Sequence, residues 1–170
     1  LHGICTTPDG KYVYVVHNLG RYTVPTSQLQ QGWMNTSAFS IIDTQRQEYL
    51  GTVLTDDPER GAAGIWNIAC NEENVLIAHS GTHEISVIKN KEMLERFLAC
   101  PDKSALEYDL RFMYGIRERI ALEGNGPRAM CLSDNKLYVT TYFADILNVV
   151  DMDGGQLVTV DMNPGRVESD

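Results

Sequence analysis

A chain of 170 residues, 43% hydrophobic and 22% charged, has the length of one ordinary domain and can bury a sizeable core. Its 14 Lys and Arg against 23 Asp and Glu leave a formal charge of −9 with no basic cluster, which argues against a nucleic-acid partner bound through counterion release. No apolar run approaches the roughly 20 residues of a membrane-spanning helix, and the opening LHGICTTPDG lacks the basic start and apolar stretch of a leader.

In chain order, the first expected strand is HGICTT, followed by a Pro8-Asp9-Gly10 turn and KYVYVVHN over 11–18. After a loop at about 19–36 come FSIIDT from Phe39 and YLGTVL over 49–54. The segment TDDPERGAAG (55–64) leads into a second set: WNIACN, NVLIAHSG (74–81), ISVIKN from Ile85 and, after an insertion at about 91–117, RIALEG (119–124). A third set follows as RAMCLS, KLYVTTYF (136–143), LNVVDM from Leu147 and LVTVDM (157–162). Four strands therefore recur three times in the same order, with Tyr14, Leu76 and Tyr138 spaced 62 residues apart. That spacing exceeds the roughly 40–50 residues of familiar blade repeats, and insertions in the first two units account for the excess.

Each unit reads as an antiparallel meander. Pro8 presets φ, Gly10 closes the hairpin, and Val, Ile and Tyr suit the pleated surface that follows. Sheets apolar on both faces need cover on both sides, and radial stacking supplies it. The predicted fold is all-β: a partial β-propeller of three four-stranded antiparallel blades in one domain. Blade one spans about 3–55, blade two about 64–124 with a short helical insertion at 91–117, and blade three about 127–163, with a linker at 164–170. In the insertion, KEMLERFL places Met93, Leu94, Phe97 and Leu98 on one helical face, and SALEYDLRFMYG places Leu106, Leu110 and Met113 on another. Ser104 and Glu107 have the spacing of a capping box, and Pro101 favours a break between the two helices.

Three sheets are fewer than the roughly four to eight that close a propeller, and the chain begins without Met, so a piece of a longer parent is expected. Its partners are then the remaining blades, or a second copy that closes the ring head to tail. Strand order places the loop after His17, the segment 55–64, HSGTHE (79–84) and YFAD (142–145) on one face, with the helix pair opposite. Elaborated loops on a rigid scaffold are where binding residues gather. Candidate binding residues on this face are Arg21, Trp33, His79, His83, Tyr142 and Asp145; Trp33, Trp66 and Tyr142 fit either an aromatic binding surface or the bracing of long loops, the commoner use.

His17, His79 and His83 fit either a zinc site or hydrogen bonds that anchor loops, the commoner use. DMDGGQ (151–156) opens like a calcium loop but lacks the distal Glu and reads better as a hairpin turn. GNGPRA lacks the strand-to-helix setting of a phosphate cradle. Cys5, Cys70 and Cys131 fall on first strands and Cys100 at a helix end, where thiols pack as small apolar groups; disulfides between blades are not expected, because the Cα atoms would be too far apart. No metal ligand and no catalytic residue is assigned in this chain.

PDGKYVYV and NKLYVTTYF resemble the bacterial YVTN β-propeller repeats, a group similar to the quinoprotein amine dehydrogenase β-chain superfamily. VPTSQLQQGWMNTSAFSIID, HSGTHEISVI, LRFMYGIRERIALEGNGPRAM and NPGRVESD further resemble the propeller portion of secreted bacterial proteins fused to domains like di-haem cytochrome c peroxidases. The resemblance implies an extracytoplasmic location, periplasmic or cell-surface, and a haem domain downstream of Pro164. This chain carries no Cys-x-x-Cys-His, so no c-type haem is expected within it. The implied function is a non-catalytic scaffold or interaction module that supports a haem domain or binds a partner on the loop-rich face. The alternative is a propeller enzyme, lactonase-like or quinoprotein-like, with a site near the central channel; the inner strands offer Cys, Ile, Ala and Met there rather than acids and bases.

Overall fold

The structure, a computed structural model, describes residues 1–23 and 34–165. It contains three four-stranded antiparallel sheets, each a simple meander. Blade one comprises β1 (Ile4–Thr6), β2 (Tyr12–Gly20), β3 (Asn35–Asp43) and β4 (Glu48–Leu54). Blade two comprises β5 (Ile65–Cys70), β6 (Asn74–His79), β7 (Glu84–Lys89) and β8 (Arg117–Ala121). Blade three comprises β9 (Pro127–Ser133), β10 (Lys136–Thr141), β11 (Ile146–Asp151) and β12 (Leu157–Asp161). The inner strands adjoin, β5 lying against β1 and β2 and β9 against β5 and β6, so the sheets stack as propeller blades.

The turns carry the chemistry their residues suggest. Gly10 takes φ 70° and its N–H donates to the Thr7 carbonyl at 2.8 Å. In blade three, Asp134 and Asn135 both have positive φ (48° and 58°), the type I′ geometry whose twist matches the flanking strands. DMDGGQ is the β11–β12 hairpin, closed by the Asp151 N–H to the Gln156 carbonyl at 2.9 Å, with Gly155 at φ 65°.

Burial follows each blade's position. In β6 of the middle blade, Val75 and Ile77 enter the core shared with blade one, while Leu76 enters the core shared with blade three. Its continuous apolar run is thus a strand covered on both faces. Tyr14, Val16, Phe39, Ile41 and Val53 fill the blade-one side of the first core, with the Tyr14 and Phe39 rings edge to face at 5.6 Å. Leu137, Val139 and Val150 fill the blade-three side of the second. The terminal blades keep apolar residues exposed on their outer faces: Ile4 is 65% exposed, Val158 51% and Val160 45%, although the insertion covers Ala38 and Leu54 of blade one. Cys131 is exposed rather than buried, because it alternates with Arg128, Met130 and Leu132 and so faces away from blade two.

The insertion contains α1 (Asn90–Ala99) and a 3-10 helix over Lys103–Tyr108. Met93 and Phe97 are fully buried against blades one and two, whereas Leu98, expected on the same face, is 46% exposed. The second α-helix is not formed, and its cap is Asp102, whose carboxylate accepts from the Ser104 N–H at 3.0 Å; Ser104 and Glu107 make no capping box. The 3-10 turns let Leu106 and Met113 enter the main core while Leu110 meets Ala38 and Leu54, a spread that one helical stripe could not cover. Nor does the insertion stay on the face opposite the binding loops. The 3-10 helix packs on β4, Tyr108 reaches Arg21 and the Tyr114 hydroxyl donates to Glu59 at 2.9 Å.

If α1 is part of the core, Phe97→Ala lowers stability by about 3–5 kcal/mol in urea unfolding; a loss below about 1 kcal/mol would mean that the helix only rests on the blades.

Candidate functional site

The loop-rich face is assembled by one repeated device. At the β6–β7 hairpin, the Ser80 and Gly81 N–H groups donate to the Gly64 and Ala63 carbonyls at 2.7 and 2.9 Å. At β10–β11, Tyr142 and Phe143 donate to Gly126 and Asn125 at 2.9 and 3.1 Å. Both receiving glycines have positive φ, and a Cβ would lie 2.6 Å from the Gly81 nitrogen at Gly64 and 2.7 Å from the Phe143 ring at Gly126. GNGPRA is therefore the seat of the next hairpin.

Side chains reinforce these seats. His79 is wholly buried; its Nδ1–H donates to the Ala62 carbonyl at 3.0 Å, which leaves Nε2 to accept from the Ser86 hydroxyl at 2.9 Å. Burial, with the nearby Arg119 and Arg117 charges, holds it neutral and brings its pKa down to about 3. His17 repeats the contact in blade one with Ser40 at 2.8 Å. In blade three Asn148 grips Glu123 through two bonds of 3.0 Å. His83, at φ 58°, accepts the Gly126 N–H on Nδ1 at 3.1 Å. His79 and His83 are thus loop anchors and His17 ties β2 to β3, and no group of three or more His, Cys, Asp or Glu among the described residues is arranged to hold a metal.

The segment between β4 and β5 is held by charge. Arg117 and Arg119, two apart on β8 and so on one face, both reach Asp57. Arg119 also bonds Glu84 at 3.1 Å and the carbonyls of Thr55, Arg60 and Gly61. Arg60 closes the network on Glu84 at 2.6 Å. Asp56 accepts from the Ser37 and Ala62 backbone; burial nevertheless pushes its carboxyl above the usual range. The network was not singled out in the sequence, although the alternating RER beside DDPER carries its signal.

Of the candidate binding residues, Arg21 is buried with its guanidinium 4.2 Å from the Tyr108 ring, and Trp33 lies outside the described residues. Asp145 sits in the β10–β11 turn at φ 50°, its carbonyl accepting from Met162. Tyr142 is 62% exposed and belongs to a cluster of which the sequence suggested only part. The Arg128 guanidinium lies 4.3 Å from the Trp66 ring and 3.9 Å from Tyr142, with Phe143 at 5.5 Å and His2 stacked on Trp66. Arg128 Nε has no hydrogen-bond partner among the described residues. Arg128 and Trp66 open the inner strands β9 and β5, which places the cluster at the channel side of the loop-rich face. Contrary to the expected separation of thiols on different blades, Cys5 and Cys70 bring their sulfurs within 3.3 Å.

Fold and face together define a β-propeller segment whose loops are internally anchored around an exposed aromatic and arginine cluster. No family model matches the chain. It is similar to hydrazine synthase subunit beta of Kuenenia stuttgartiensis, 25% identical over 158 residues that cover 88% of this chain and 40% of the relative. Among solved structures, Kuenenia stuttgartiensis hydrazine synthase superposes with a TM-score of 0.75 at 20% identity, over 94% of this chain and 44% of that one. A functionally unknown protein from Desulfotomaculum acetoxidans superposes at 0.58 and 13% identity, over 94% and 40%. The chain thus spans less than half the length of these relatives, and the structural likenesses establish the fold. No described helix is long and apolar enough to cross a membrane.

Because the folded state keeps His79 neutral while the unfolded chain protonates near pH 6.5, unfolding takes up a proton between about pH 6.5 and 3, and stability falls as pH falls through that window. His79→Gln, measured by urea unfolding across pH, removes up to about 1.4 kcal/mol per pH unit of that slope; an unchanged slope would show that His79 is accessible to protons when folded.

Proposed function

We propose that this chain is a non-catalytic scaffold within a β-propeller subunit, binding a partner protein on its loop-rich face. The observation that carries the reading is the Trp66, Arg128, Tyr142 and Phe143 cluster. Trp, Tyr and Arg dominate interface energetics, because each covers a large area at little entropic cost while offering a polar or charged edge. Around it, His79, His83 and Glu84 are already bonded within the loops, a use that stabilises a surface rather than performs acid and base chemistry. Likeness over most of the chain to a protein named as an enzyme subunit supports a place in a multi-subunit assembly.

The exposed apolar faces of blades one and three are covered, on this reading, by further blades of the parent or by a second copy. An extracytoplasmic setting and a haem domain like those of cytochrome c peroxidases complete the proposal and rest on the resemblance of the repeats and of NPGRVESD. Any c-type haem of the parent is bound outside these 170 residues, since the four cysteines here form no Cys-x-x-Cys-His.

The test is to isolate the parent protein from its native cells and weigh it by native mass spectrometry. A stoichiometric complex with a second polypeptide is expected, and Trp66→Ala and Arg128→Ala should each weaken it about tenfold or more. A parent that stays alone, or a complex indifferent to both substitutions, overturns the assignment; lactone hydrolysis lost in His79→Ala would put an enzyme in its place.

A further inference from the structure

Cys5 lies on β1 and Cys70 ends β5, on neighbouring blades and 65 residues apart, yet their Sγ atoms are 3.3 Å apart. Cys70 Sγ also contacts the Thr6 carbonyl at 3.2 Å, which seats it over the end of β1. Both thiols are half-buried at the margin of the core between blades one and two, so a small reagent can reach them while the surrounding packing holds them together. β1 is only three residues long and joins β2 through three residue pairs. It is the most weakly held inner strand of the three.

We propose that Cys5 and Cys70 are a dithiol that a low-molecular-weight disulfide oxidises to an intrachain disulfide, bracing blade one to blade two. The approach needed is small, since a disulfide brings the sulfurs to about 2.0 Å, and they already lie 3.3 Å apart on inner strands that contact each other. The Cys5 S–H donates to Cys70 Sγ, which holds the Cys70 thiol below the usual range, while that contact and burial push Cys5 well above it. Cys70 is therefore the attacking thiolate. It forms a bond to one sulfur of the small disulfide, and the other sulfur leaves as a thiolate that takes up a proton. Cys5 then gives its proton to solvent and attacks the Cys70 sulfur, and the second small thiol departs. Two protein thiols lose two electrons and two protons, and the small disulfide is reduced to two thiols.

The other two cysteines are internal controls. Cys131 is exposed on the far side of β9, and the Cys100 sulfur contacts only the Asp102 carbonyl at 3.3 Å among the described hydrogen bonds.

The experiment equilibrates the folded protein with glutathione buffers from fully reduced to fully oxidised, followed by alkylation and peptide mapping without reductant. The expected result is a Cys5 to Cys70 cross-linked peptide, with Cys100 and Cys131 still alkylated or carrying glutathione. The oxidised form should melt about 5–10 °C higher, because the bond closes a long loop. In Cys5→Ser the rise should vanish and glutathione should remain on Cys70. The wild-type map is read independently of that variant's folding. Cys5 and Cys70 both alkylated in oxidised buffer, glutathione held on either without a cross-link, or either bonded to another cysteine would each overturn the proposal.

Discussion

A β-sheet that is apolar on both faces has to be covered twice, and the architecture of this protein follows from that requirement. Blade two meets it fully: successive residues of β6 enter different cores, and its centre from Val75 to Ala78 is apolar without interruption. Blades one and three meet it only in part: the insertion covers Ala38 and Leu54 of blade one, but Ile4, Val158 and Val160 stay in solvent. These outer faces are the physical reason to regard the chain as a sector of a larger ring.

Stacking sheets at an angle opens gaps along their rims and between their loops, and different chemistry fills each gap. Along the rim of blades one and two the insertion supplies apolar side chains, Phe97 and Met93 among them. At the loop-rich end, burial of backbone is made tolerable by donors and acceptors from His79, Asn148, Asp56 and Arg119. Removing Asp57 would leave the buried Arg117 without its carboxylate, whereas Arg119 and Glu84 each have a second ionic partner, and the shared pairs together fix one path for the segment between the blades. The exposed Tyr142 and Phe143 rings rest on that rigid base, as a binding surface requires if little entropy is to be lost on association.

Much of this was legible in the residues. The recurrence of a short strand, a Tyr-Val or Val-Leu strand and two more strands leads to the three meanders, because strand type depends on alternation and turn residues, which are local. His79 and His83 were legible as loop anchors for the same reason: they flank the β6–β7 hairpin. Helix type in the insertion was not, since the apolar spacing of Leu106, Leu110 and Met113 satisfies an α-helix as well as the 3-10 turn and bends that send them to separate cores. Nor was the contact of Arg21, a candidate on the binding face, with Tyr108, since that partner lies 87 positions away.

By itself, then, the sequence determined the strands, their order and the turns between them, as well as the face on which the elaborated loops emerge. Those properties depend on neighbours within a few residues and on the strict alternation of a pleated chain. Only the tertiary structure decided which side chains meet across blades: Arg128 with Trp66 and Tyr142, Arg119 with Asp57, and Cys5 with Cys70. Such meetings depend on the register and angle at which separate sheets dock, which are settled by packing the whole core and leave no periodic trace in the chain.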